Sequence, residues 1–176
     1  DSLCALSLLY LFTRKSLLSA LTYLSGIVIL DMNPTPYGIA HAFGTKSHDA
    51  LTRFLKSYTA SSASLMLALV KLASRFSPGY LIVDDVIIPK EYSKKIPATY
   101  WVKDHTKNRH VFAQTLVVIL WSNGCSKIPV AFEIWHKKGG VTPYQTKNQI
   151  ACRLLKEVIS RGLKPQYIAL DSWYAS

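Results

Sequence analysis

The sequence predicts an α/β chain: an all-helical region over residues 1–78, then a mixed sheet over 79–176 whose elements follow the order β-β-β-α-β. Three observations lead there. Leucines in the first 78 residues recur at helical spacing. An apolar, β-branched run at 80–88 is closed by Pro89. One helical pattern, 145–161, stands between strand-like runs. With 49% hydrophobic and 18% charged residues, the chain can bury a core, which excludes a disordered reading.

The elements follow in order. Leu6, Leu9, Tyr10, Leu17, Leu18, Leu21 and Leu24 mark an apolar helical pair before the break at Asn33-Pro34-Thr35-Pro36. A short helix is expected over 37–43, stopped by Gly44, and another over 49–57 with Ser47 as its N-cap. A longer helix covers 61–76 and ends at Ser77-Pro78-Gly79. Strands are expected at 80–88, 111–121, 127–135 and 167–171. Asn123-Gly124 signals a hairpin, and 90–110 reads as a polar, basic connection. The helix at 145–161 is stopped by Gly162 and followed by Pro165. Two antiparallel links and then a helical crossover make the opening order of an RNase H-like domain, truncated at its carboxyl end because that fold needs further elements. Asp1 in place of a methionine, and Ser176 just after a strand-like run, also read as the ends of a fragment.

Lys and Arg number 21 against 10 acidic residues, a net charge of +11 that points to a polyanionic partner such as nucleic acid. The three cysteines, Cys4, Cys125 and Cys152, are too scattered for a disulfide framework or a zinc site, and a reducing compartment fits. The apolar front, 3–30, is interrupted by Thr13-Arg14-Lys15 and falls short of the roughly 20 residues of a membrane span, so no membrane partner is expected.

Chemistry concentrates at two aspartate signals. Leu81-Ile82-Val83-Asp84-Asp85-Val86-Ile87-Ile88 has the composition of a central strand, where a carboxylate is costly unless paired, hydrogen-bonded or bound to a metal. Consecutive aspartates point to opposite faces of a sheet. Tyr167-Ile168-Ala169-Leu170-Asp171-Ser172 ends a second strand in aspartate, and ligands gather at the carboxyl ends of strands in open α/β sheets. If the two strands are neighbours, their carboxylates converge and repel unless a cation lies between them. Mg²⁺ (or Mn²⁺) suits an all-oxygen site. A pair of such ions clamps the attacking and leaving oxygens of a phosphoryl transfer.

These segments, with Asp104-His105, Leu120-Trp121-Ser122-Asn123-Gly124, Ile128-Pro129-Val130 and the closing Leu170-Asp171-Ser172-Trp173-Tyr174-Ala175-Ser176, resemble insertion-sequence transposases of the DDE superfamily. The resemblance is strongest over 80–176 and looser in front. It departs from the usual Asp-Asp-Thr by having Val86. It implies metal-dependent cleavage and strand transfer of transposon-end DNA, with Asp85 and Asp171 as catalytic metal ligands and Asp84 as the alternative on the first strand. It also implies double-stranded DNA partners (transposon ends and target), a homodimer in the complete transposition complex, and a cytoplasmic, nucleoid-associated setting. The third ligand in such transposases is a glutamate on a later helix. Glu91, Glu133 and Glu157 do not suit that role, and the chain alone is expected to be inactive.

Candidate DNA contacts are Lys90, Lys94, Lys95, Lys103, Lys107, Arg109 and His110, with Trp101 as an aromatic that would stack on an unpaired base. An ordinary solvated loop is the alternative. Asp104-His105 reads equally as a site element and as a structural pair. Residues 37–55 resemble a helix-turn-helix whose second helix would present His48 and Arg53 to a groove. Two alternatives to a transposase are a non-catalytic, DNA-binding remnant and another RNase H-like nuclease. The nuclease would need a glutamate early in the helix before Asp171, where Gln145, Asn148 and Gln149 stand.

Overall fold

Leucine-rich spacing and capping residues produce four helices in the computed structural model, which describes residues 14–30, 34–58, 61–92, 95–104, 108–139 and 143–175. They are α1 (Arg14–Ile29), α2 (Pro36–Phe43), α3 (His48–Ser57) and α4 (Ser62–Ala73), the last followed by a 3-10 turn at Ser74–Phe76. Two compact units, Asp1–Ala68 and Leu69–Ser176, divide within α4. No helix among the described residues is long and apolar enough to cross a membrane.

In the first unit, local chemistry sets the helix ends. The Gly38 amide donates to Thr35 Oγ1, and Pro36 occupies the first turn of α2. Gly44 closes that helix at φ +62°, a left-handed conformation that favours glycine. The Ala50 amide donates to Ser47 Oγ, the expected cap of α3. The leucines of α1 depart from the sequence reading. Ser19, Ala20, Thr22 and Gly26 are buried, whereas Leu18, Leu21 and Leu24 are 50%, 45% and 48% exposed. The cause is close helix packing. A Cβ added at Gly26 would lie 2.5 Å from Ile39 Cγ1, so only the small-residue face of α1 fits against α2. The other half of the expected helical pair, including Leu6, Leu9 and Tyr10, lies outside the described residues.

The second unit is a five-stranded mixed sheet. Its strands are β1 (Tyr80–Pro89), β2 (Tyr100–Asp104), β3 (Arg109–Ser122), β4 (Lys127–Trp135) and β5 (Ile168–Leu170), with α5 (Lys147–Ser160) between β4 and β5. Long β3 pairs antiparallel with β1 along one edge. Its other edge takes β2 against Arg109–Ala113 and β4 against Thr115–Ser122, so these two strands follow one another along it. On its far side β1 pairs with β5 in parallel. This order agrees with the RNase H-like expectation.

One element is additional. Residues 90–110 contain β2 rather than connection alone, and β3 begins at Arg109. The strand-forming Tyr100-Trp101-Val102 is short and followed at once by Lys103, and its ladder partner comes from β3. Expected elements elsewhere hold to within a residue or two. The Asn123-Gly124 turn forms with Asn123 Oδ1 accepting from the Cys125 and Ser126 amides.

The core lies on one face of β3, where Val111, Ala113, Thr115, Val117, Ile119 and Trp121 are all buried. Helix α5 packs on β3 and β4 and buries Ile150, Ala151, Leu154 and Val158, an i, i+4, i+8 stripe with one neighbour. Fully burying a Leu or Val side chain contributes roughly 1.5–3 kcal/mol.

Candidate active site

Alternation along β1 separates the two aspartates. Leu81 and Val83 are buried, and Asp85 and Ile87 continue their face. Asp85 pairs directly across from buried Val117, so its carboxylate points to the side covered by α5. Asp84 takes the opposite face, is exposed, and its Oδ1 accepts the Asp85 amide at 2.8 Å.

Parallel pairing of β5 with β1 brings in the second signal. Leu81 registers with Ile168 and Val83 with Leu170, so Asp171, one residue past the end of β5, follows level with Asp84, and Asp85 is the next residue along β1. Asp85 and Asp171 line one open cavity of about 490 Å³ with Ile87, Val102, Lys103, Thr115, Trp135, Lys147 and Trp173. A 3-10 turn at Ser172–Ala175 folds back over Asp171: the Trp173 amide donates to Asp171 Oδ1 and the Tyr174 amide to its carbonyl. Tyr174 reports the local charge. Burial raises its phenol pKa above the usual value, and the negative charges of Asp85, Asp84 and Asp171 raise it further. Its hydroxyl is buried without a hydrogen-bond partner.

The sequence reading missed Lys147. Thr146 caps α5 in a capping box with Gln149, which starts the helix at Lys147. From there the Lys147 ammonium reaches Asp85 Oδ2 at 2.6 Å. It also lies 5.7 Å from the Trp135 ring centre and 5.3 Å from that of Trp173. The available signal was a lysine in a helical first turn, where the backbone amides already carry partial positive charge.

The described residues contain no group of three or more His, Cys, Asp or Glu side chains able to hold one metal ion. Glu133 shares a lateral row with Asp85 through Val117, two strand spacings or roughly 10 Å away. It pairs with Arg153 from α5. Glu157 pairs with Arg161 and Glu91 with Arg109, each at 2.8 Å. Arg153, four residues before Glu157, goes to Glu133 instead.

The basic candidates separate into groups. Lys103 borders the carboxylate cavity. Trp101, Arg109 and His110 line a second groove of about 400 Å³ with Glu91, Val111 and Phe112. There the exposed Trp101 packs on Phe112, with ring centres 5.7 Å apart. Lys90 and Lys95 line neither cavity. Lys94, Lys107 and His105 lie outside the described residues, and Asp104 is buried. His48 and Arg53 are exposed on α3, in the first unit, where His48 Nε2 lies 3.2 Å from Asp49 Oδ1.

A family model described as DDE superfamily endonuclease matches residues 7–176. No curated protein and no solved structure matches the chain.

Proposed function

The chain belongs to the DDE superfamily endonucleases, a family of nuclease-type enzymes acting on DNA, and from that membership we propose that it is part of a DNA transposase. In this reading Asp85 and Asp171 are shared ligands of Mg²⁺ or Mn²⁺, and the reaction is cleavage and strand transfer of transposon-end DNA. The observation that carries it is the pair of carboxylates brought by adjacent parallel strands to one open cavity.

The residues suit a divalent ion on three grounds. Their donors are carboxylate oxygens, which hard cations prefer. Asp85 already holds a cation, the Lys147 ammonium, in contact with Oδ2. Tyr174, whose phenol pKa is raised first by burial and then by Asp85, Asp84 and Asp171, lies within the field of all three carboxylates. When bound, the ion supplies Lewis-acid stabilisation of the phosphoryl oxygens and an activated attacking oxygen. Asp85 and Asp171 orient it, while Lys103 at the rim meets a phosphate of the DNA backbone. Asp84, on the other face, contributes to the local field. Exposed Trp101, with Arg109 and His110, offers a stacking surface flanked by cations for an unpaired base. With two carboxylates lining the cavity, divalent binding is expected to be weak and this chain alone inactive in nicking.

Mn²⁺ binding followed by electron paramagnetic resonance tests the assignment. Asp85→Asn and Asp171→Asn should each weaken it at least tenfold, and Glu157→Gln should leave it unchanged. Equal affinity across all four proteins would remove the metal role.

A further inference from the structure

Lys147 is placed against its local electrostatics. It opens α5, whose first turn contains no acidic residue, so the helix amides repel its charge. It is nevertheless well fixed. Its side chain is 21% exposed and that of Asp85 28%, with Nζ to Oδ2 at 2.6 Å. Two indole rings flank the ammonium, an arrangement that attracts cations. Trp135 ends β4, and Trp173 stands two residues beyond Asp171. One lysine thus joins three elements of the cavity: the Asp85 strand, the end of β4 and the turn after Asp171.

We infer that Lys147 is a built-in counter-ion, holding the cation position at Asp85 until a divalent ion displaces it. The inference rests on the metal reading above and deepens it. An oxygen in 2.6 Å contact with an ammonium cannot also bind a divalent ion at about 2.1 Å without placing like charges a few ångströms apart. The lysine therefore competes with the metal for Asp85. Its flexible four-carbon stem lets the ammonium withdraw while the helix stays in place. The aspartate is thereby never left as an uncompensated, largely buried charge, an arrangement that is strongly destabilising. Metal entry becomes an exchange of cations, with apparent affinity lowered by the strength of the ion pair.

Lys147→Met keeps the stem and removes the charge, and Lys147→Arg keeps the charge. Mn²⁺ titration by electron paramagnetic resonance should show Lys147→Met binding at least fivefold more tightly than wild type and Lys147→Arg no more tightly. Indole fluorescence provides a second readout in unmutated protein. Mg²⁺ should change the emission of Trp135 and Trp173 as the ammonium leaves, and this change should vanish in Lys147→Met. Equal or weaker Mn²⁺ binding by Lys147→Met, with binding still lost in Asp85→Asn and Asp171→Asn, would overturn the counter-ion role and leave the metal reading intact. Mn²⁺ binding insensitive to both aspartate substitutions would overturn the metal reading and the counter-ion role with it. No Mg²⁺-dependent fluorescence change in a wild-type protein that binds the ion would also overturn the inference.

Discussion

Tyr174 shows how single groups register the field of the cavity. Its phenol is held neutral by burial and by the carboxylates of Asp85, Asp84 and Asp171, so its pKa in the folded chain exceeds the ordinary value near 10. The sign of the pH effect follows. Below about pH 10 the phenol is neutral in both folded and unfolded chains, and its contribution to stability is fully present. Above that, the unfolded chain loses the proton first, and stability falls as pH rises. Denaturation midpoints at pH 8 and 10.5 should therefore differ more for wild type than for Tyr174→Phe. An equal drop in both proteins would assign the alkaline loss to other groups.

Helix α5 sets the position of the cavity's cation. Its capping box fixes where the helix begins, and Leu154 and Val158 seat it on β3 and β4. Leu154→Ala should cost roughly 2–5 kcal/mol in urea denaturation, because the side chain is 2% exposed and its loss leaves a void. Gly79 serves the opposite edge of the same core. A Cβ there would lie 2.6 Å from the Ser122 carbonyl oxygen and from the Trp121 ring, whose Nε1 donates to the Phe76 carbonyl. At the far end of β3, the β2 ladder presents Trp101 beside Arg109 and His110. Trp101→Ala should weaken binding of single-stranded DNA with little change in salt dependence, whereas Arg109→Ala should reduce the salt slope by about one. Fluorescence anisotropy across a salt series separates the two effects. Unchanged affinity in both variants would show that the groove does not contact DNA.

For the whole molecule, charge and topology answer different questions. A net charge of +11 identifies a polyanionic class of partner without saying where it binds. Strand composition, capping residues and turn residues made the element order legible, because these signals are local: Ser47, Gly44, Asn123 and Gly162 act within a few residues of themselves. The aspartates were legible for a related reason, since a carboxylate inside an apolar run is conspicuous by its desolvation cost. Strand β2 was hidden because a short edge strand depends on the ladder its neighbour extends. The outward leucines of α1 were hidden because periodicity finds a face but not its direction, and Gly26 against Ile39 chose the small-residue side. The partner of Lys147 was equally hidden. Sixty-two positions separate the lysine from Asp85, and only the crossover between β4 and β5 brings it there. By itself, then, the sequence determined which elements form and which carboxylates stand out. The tertiary structure decided which of them meet and what cation faces them, because parallel pairing and helix packing join residues that no local interaction connects.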